Sequence, residues 1–326
     1  MAVRDGSGER RVDVVILSWE RIGDTLQAVA NVLAQEDVAV TVIVVDQGSS
    51  PATLSRLRRA LADRANVLLH EVGHNVGVPE GRNIATALGS AEIVVALDND
   101  ARFRDARDLA RVIDRFADDP SLGAIGFRIL HADTGRDDLG AWGYPRSQIE
   151  MADRPFLTTR FVGTGHACRR AAFEAVGGYD GELFFCWEEF DLCLRLINRG
   201  YRILYEPAVV VLHKNASERR LSWKGNRYYY FVRNRVFIEL KYRSSWRPAV
   251  ALASGYMLRG TVNGHVLQAL RGCRDAFLMA WRRRRETGWR TGVLIAEARR
   301  YIDAHERSYR GNLWRRLRTE VLARLP

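Results

Sequence analysis

Asp98 and Asp100 close an apolar run, I-V-V-A-L-D-N-D from Ile93 to Asp100. A short run rich in Val and Ile reads as an interior strand of a parallel sheet. That sets both carboxylates, with Asn99 between them, just past its carboxyl end, where open α/β sheets bind ligands. Two carboxylates one residue apart can hold a hard divalent cation, and the cation can hold phosphate oxygens. The competing reading is a polar turn, since Asp and Asn favour turns for local hydrogen-bonding reasons. A second acidic group, Glu188, Glu189 and Asp191, lies in F-F-C-W-E-E-F-D-L-C-L-R beside Trp187 and Phe190. Acids suit a helix N-terminus on dipole grounds alone. Three of them beside aromatic side chains also suit a general base in a partly dry pocket. His213 leaves an apolar strand for a Lys-Asn-Ala-Ser turn; a lone His is more often structural than a ligand.

These groups need a frame, and the spacing supplies one. Strands are expected over Val12–Leu17, Val38–Val45, Val67–Glu71 and the Ile93 run, with helices over Asp24–Leu33, Thr53–Ala62 and Glu80–Leu88 between them. Strands alternating with helices argue an α/β, doubly wound, mostly parallel sheet. Three strand ends then carry polar residues: Ser18-Trp19-Glu20, Asp46, and Asp98 with Asp100. Such ends cluster in this architecture, which three independent polar turns would not explain. Further on, a helix is expected over Asp105–Phe116 and a strand over Leu122–Leu130. Residues 131–160 read as a long irregular connection, functional or mobile. Gly163-Thr164-Gly165, a short helix Ala171–Val176, the acidic helix with Leu192, Leu194 and Ile197 inward, and two short strands, Tyr201–Tyr205 and Ala208–Leu212, complete this part.

Composition bounds the rest. The chain has 326 residues, 47% of them hydrophobic, enough for a large domain with an appendage. Its four cysteines show no C-x-x-C or zinc-type spacing, which suits free thiols in a reducing compartment. Met1–Arg11 is polar and carries no legible secretory signal, and no apolar run is long enough to span a bilayer. A cytoplasmic protein is expected. The net charge of +11 is uneven: residues 1–220 hold 27 Lys and Arg against 32 Asp and Glu, a net of −5, and residues 221–326 hold 23 against 7, a net of +16.

Residues 12 to about 243 resemble the family 2 glycosyltransferases, inverting enzymes of GT-A fold. V-V-V-D-Q-G-S is similar to the family's strand ending in Asp. N-V-G-V-P-E-G-R-N-I-A-T-A-L-G is similar to its N-x-G-x-x-x-x-R-N-x-G loop and helix, and D-N-D to its D-x-D motif. G-G-Y-D-G-E-L-F-F-C-W-E-E-F-D-L-C-L-R is similar to its G-G-F-D-E-x-F-F-x-x-x-E-D-x-D-L-x-x-R block. Arg227–Arg235, R-Y-Y-Y-F-V-R-N-R, resembles a Tyr-rich segment of bacterial rhamnosyltransferase-like members. The resemblance implies donor-binding roles for Ser18, Trp19, Glu20, Asp46, Arg82, Asn83, Asp98 and Asn99. It implies Mn²⁺ or Mg²⁺ at Asp100, with Asp98 and His213, and acceptor contacts at Gly163, Thr164, Gly165 and Trp187. Glu189 matches the base, with Glu188 beside it. The family usually has Asp at that position, which leaves Asp191 as a rival. The implied reaction moves one sugar from a nucleotide-sugar, a UDP- or dTDP-sugar favoured, to an acceptor hydroxyl. Bacterial cell-surface glycan, or another glycoconjugate or secondary metabolite, is the expected product. The processive enzymes' Q-x-x-R-W segment is missing.

The division expected is a disordered N-terminus (1–11), a catalytic domain (12–243) and a basic helical region (244–326). In the last, Val266, Leu270, Cys273, Phe277 and Trp281 recur at helical spacing before Arg282–Arg285. Leu313, Trp314, Leu317, Val321 and Leu325 repeat the pattern among Arg315, Arg316, Arg318 and Arg324. Basic amphipathic helices with Trp and Leu suit the inner face of a membrane and a lipid-linked acceptor. They equally suit packing on the catalytic domain or a homodimer contact. Two other classes compete. A nucleic-acid binder would use the Tyr/Arg-rich stretch 223–235, but the excess charge avoids the α/β half. A nucleotidyltransferase would place a Gly-rich, Lys-containing loop where Ser18-Trp19-Glu20-Arg21 stands.

Overall fold

The computed structural model describes residues 10–214, 226–242, 245–287 and 293–309. Its first half alternates as β1 (Arg11–Ser18), α1 (Ile22–Leu33), β2 (Ala39–Asp46), α2 (Pro51–Leu61), β3 (Val67–Glu71), α3 (Val78–Ala87) and β4 (Ile93–Leu97). Then come β5 (Ala101–Phe103), α4 (Asp108–Asp118), β6 (Leu122–His131), β7 (Phe156–Thr158), β8 (Gly165–Arg169), α5 (Arg170–Ala175), α6 (Glu188–Asn198) and β9 (Arg202–His213). Helices α7 (Tyr228–Tyr242), α8 (Arg247–Asn263), α9 (Val266–Thr287) and α10 (Ala296–His305) follow.

One nine-stranded sheet runs β3-β2-β1-β4-β8-β6-β9-β5, with β7 also on β9. β3, β2, β1 and β4 are mutually parallel, whereas β8 lies antiparallel to both β4 and β6. The sheet is therefore mixed, mostly parallel. Successive side chains of a strand point to opposite faces. Accordingly Val14, Ile16, Val42, Val44 and Val95 pack with Val29 and Val32 of α1 and Val112 and Phe116 of α4. Val15, Ile43, Val45, Val94 and Ala96 pack on the other face with Ala85 of α3. Cover on both faces is why β4 is a continuous apolar run rather than an alternating one.

Two expectations need correction. The stretch 201–212 is one strand, not two. β9 pairs with β6 along its length, with a bulge where Phe127 faces Glu206 but Arg128 faces Val210. Pro207, which has no N–H to give the ladder, falls inside that bulge. Residues 131–160 are not loose. Trp142, Tyr144, Phe156 and Tyr205 form an aromatic cluster, with Phe156 stacked on Tyr205 at 4.6 Å. A 3-10 turn (Arg146–Met151) and β7 complete the stretch.

The C-terminal helices share an apolar cluster with the α/β part. Leu183, Phe190 and Leu194 join Tyr228, Val232 and Phe237 of α7 and Ala269, Ala276 and Met279 of α9. The expected stripe of α9 is not the packed one. Gly272 lies so close to α7 that a Cβ there would stand 2.9 Å from the Tyr229 carbonyl oxygen. Close approach of two backbones selects Ala and Gly at the contact, so Leu270, Phe277 and Trp281 turn outward. The Tyr/Arg-rich segment is built into the packing. Tyr228 is buried, Tyr229 donates to Asp275, and Arg233 donates to the carbonyls of Glu182 and Leu183. The second expected stripe, Leu313 to Leu325, lies outside the described residues, as do Met1–Glu9 and the Asn-Ala-Ser that follows Lys214.

Candidate active site

The carboxyl ends of β1, β2 and β4 meet as the parallel order requires. Ser18 pairs in register with Asp46, and the D-N-D tripeptide follows β4 directly. Antiparallel β5 then brings Ala101 opposite His213, the last residue of β9. The result sets Asp100 Oδ1 3.6 Å from His213 Nε2. The other imidazole nitrogen, Nδ1, is held 2.9 Å from Asp138 Oδ2. Burial disfavours charge on both, but the hydrogen bond and the neighbouring charges outweigh it. Asp138 is pushed down to about 2 and His213 is raised. Arg21 donates to Asp100 Oδ2 at 2.7 Å and pairs with Asp24, which Lys214 also reaches.

A second centre is the buried Arg82 of α3. It donates to Asp98 Oδ1 at 3.2 Å, to Glu189 Oε1 at 3.2 Å and to the Gly163 carbonyl at 2.7 Å. Burial pulls its pKa down, yet Tyr179, Asp98, Glu189 and Glu188 leave it raised. Gly163 makes room for this approach: a Cβ there would stand 2.1 Å from Glu189 Oε1 and push that carboxylate aside. The Thr164 carbonyl accepts from the Asp98 amide, and Gly165 opens β8. Glu188 is buried, with Oε2 lacking a hydrogen-bond partner. Burial first, then the adjacent Glu189, pushes its carboxyl well above the usual range.

The turn into α6 is strained. Phe184, Cys186 and Trp187 all have φ between 61° and 70°, unusual for residues with a Cβ. Asn234 of α7 holds it: Nδ2 lies 2.8 Å from the carbonyl oxygens of Leu183, Phe185 and Cys186. The Trp187 indole donates to the Phe231 carbonyl, and Arg160 and Arg235 lie over its ring. One turn on, Asp191 is fully buried and accepts from Lys241 (2.6 Å), Tyr242 (2.8 Å) and Arg195 (2.9 Å). Asp191 therefore bolts α6 to α7, whereas the Glu189 side chain keeps 16% exposure and pairs with Arg82.

The other expected residues divide the same way. Glu20 accepts from Thr53 and from the Ser50 amide, capping α2. Asp46 accepts the amides of Gly48 and Ser49 and the Ser49 hydroxyl, shaping its own loop. Asn83 clasps the backbone N–H and carbonyl of Tyr179. The Ser18 hydroxyl and the Asn99 amide both meet the Thr25 hydroxyl, and Trp19 is exposed. Asp138, Arg21 and Asn234 were not legible as site residues. Asp138 sits in the irregular stretch, 75 positions from His213. Only the Tyr-rich segment hinted at Asn234.

Comparisons with known proteins show the family and the fold. The family model described as Glycosyl transferase family 2 matches residues 13–177, half of the chain. A pre-mycofactocin glycosyltransferase of Mycobacterium tuberculosis is 31% identical over 196 residues, covering 58% of this chain and 40% of that protein. The chain thus spans well under half of that relative's length. The dTDP-rhamnosyl transferase RfbF of Shigella flexneri is 24% identical over 213 residues, covering 61% of this chain and 67% of that one. The mannosyltransferase PcManGT of Pyrobaculum calidifontis, solved with GDP-Man and Mn²⁺, aligns with a TM-score of 0.57 at 19% identity, over 94% of this chain and 90% of that one. That likeness shows the fold, GT-A with a helical C-terminal region. With strand-end acids, mixed sheet and motif order all in place, the chain belongs to glycosyl transferase family 2.

Proposed function

We propose that this protein transfers a single sugar from a nucleotide-sugar donor to an acceptor hydroxyl, with inversion and with a divalent ion. The observation that carries the reading is Arg82, whose guanidinium joins Asp98, on the donor side, to Glu189. Base and donor edge thus share one cleft. Glu189 takes the proton of the acceptor hydroxyl as that oxygen attacks the anomeric carbon from the face opposite the diphosphate. Beside it, burial and the neighbouring carboxylate favour the neutral form of Glu188. Gly163, Thr164, Gly165 and Trp187 border that side and would receive the acceptor.

The donor set suits Mn²⁺ or Mg²⁺. Among the described residues no three His, Cys, Asp or Glu side chains are grouped for a metal. These ions, however, are commonly held by one or two protein ligands plus substrate phosphates. Asp100 Oδ1 and His213 Nε2 face one another too far apart to hydrogen-bond, and Asp138 fixes the imidazole from behind, as carboxylates do behind metal-binding histidines. Asp100 and His213 would hold the ion, with Asp98 beside them, and the ion would neutralise charge on the departing diphosphate.

A UDP- or dTDP-sugar is the favoured donor, supported by the dTDP-rhamnosyl relative. The acceptor is read as membrane-borne, within bacterial surface glycan or another glycoconjugate; an O-antigen biosynthesis protein of Myxococcus xanthus is among the relatives. The test is a panel of nucleotide-sugars with Mn²⁺ or Mg²⁺, read by thermal shift and by product. Release of nucleoside diphosphate is expected, and a donor at 100 times its Kd should stabilise the fold by about 2.7 kcal/mol. Release of pyrophosphate would point instead to nucleotidyl transfer.

A further inference from the structure

Helices α8 and α9 bury their small residues and expose their large apolar ones. Gly272 meets α7, Ala269 meets Gly260 of α8, and Ala276 and Ala280 are buried in the same cluster. Outward, Leu267 is 71% exposed, Trp281 54% and Leu270 51%, with Phe277 and Leu278 on the same side. Isolated exposed Leu residues are ordinary, but five large apolar side chains on one helix side mark a contact surface. Between these residues stand Arg271, Arg274, Arg282 and Arg285, the last lying over the Trp281 ring at 4.7 Å. Residues 245–287 hold eight Arg against Asp275 and Glu286.

The charge selects the occupant. Arg274 pairs with Asp275 at 2.8 Å, but a second copy on this side would still set Arg271, Arg282 and Arg285 against the same three. The chain's own last residues would bring Arg315, Arg316, Arg318 and Arg324. Like charges repel in both cases, so the partner is anionic. An exposed helix side of Leu, Phe and Trp threaded with Arg suits a lipid headgroup layer. The apolar side chains enter the acyl boundary, and the long Arg stems let the guanidinium groups reach phosphates.

We propose that the outward side of the α8–α9 hairpin docks on an anionic lipid surface. This deepens the reading of a membrane-borne acceptor, yet its test needs no turnover, so a failed transfer assay would leave it standing. The full chain is sedimented with vesicles of equal parts phosphatidylglycerol and phosphatidylcholine, and with phosphatidylcholine alone, at low and high salt. Two variants accompany it: Leu267→Ser with Leu270→Ser and Trp281→Ser, and Arg271→Glu with Arg274→Glu. All five side chains are exposed, and a melting curve checks that each variant folds. The parent should pellet with anionic vesicles at low salt, roughly tenfold more than with the neutral ones, and both variants should lose most of that difference. A parent that ignores anionic vesicles, or folded variants that pellet as well as the parent, would overturn the proposal. A parent that is dimeric by ultracentrifugation while the serine variant is monomeric would also overturn it, assigning the surface to a second copy.

Discussion

Two acids two positions apart, Glu189 and Asp191, have opposite surroundings, and substitution should separate them. On the proposed mechanism, Glu189→Gln keeps the shape of the site but removes the proton acceptor. Donor binding by thermal shift should persist while turnover falls about 10²- to 10⁴-fold. Asp191→Asn should instead cost stability, about 3–5 kcal/mol, because Lys241 and Arg195 would be left around an uncharged amide. Burial raises the Asp191 carboxyl, but Lys241, Arg195 and Tyr242 outweigh it and hold the pKa below the ordinary range. A depressed native pKa stabilises fully above the unfolded value of about 3.9 and is lost as pH falls through the native value. Urea midpoints measured from pH 6 downward, to roughly the native pKa, should therefore fall less steeply in Asp191→Asn than in the parent. Asp100→Ala should leave the melting curve of the bare protein near the parent's while abolishing the extra donor stabilisation given by Mn²⁺. Donor binding equally strong with and without chelator in the parent would remove the metal role. Residue types and order made these acids legible as a group. Their different surroundings were not legible, because these depend on Lys241 and Tyr242, 50 and 51 positions from Asp191.

At the scale of elements, periodicity carried the first half well, since most strands and helices there bury a face their own pattern declares, and the edge strand β3 half-buries Val67 and Leu69. β3 falls at Val67–Glu71 as its apolar run predicts. The β6–β9 bulge, the aromatic packing of residues 131–160 and the small-residue face of α9 depend on partners distant in the chain, and local pattern cannot register them. Gly272 tests the last of these. Gly272→Val would put a branched side chain where even a Cβ stands 2.9 Å from a backbone oxygen. Overpacking of this kind costs about 1–3 kcal/mol, and denaturant unfolding should show it even though Val is otherwise at home on an apolar helix. Leu267→Ser, one turn away on the exposed side, should leave the midpoint nearly unchanged.

Across the whole molecule, α10 and the residue after it close back on the sheet. The Tyr301 hydroxyl donates to the Thr158 carbonyl and accepts from the Ile203 amide, and Glu306 accepts from Thr159 and Arg160. Tyr301→Phe should lower stability by about 1–3 kcal/mol in urea unfolding, because it strips a buried carbonyl and amide of a shared partner. That closure also sets a clock on biosynthesis. Thr159 and its Glu306 partner are separated by 147 residues, which ribosomes take about 7–30 s to add. For those seconds the nascent sheet carries the buried-to-be Arg160 with no carboxylate from α10, and the β7–β9 edge has no helix against it. The stretch of messenger that encodes residues 296–306 thus decides when the edge closes. A synonymous slow codon placed between these two points would lengthen the time in which a holding chaperone can bind.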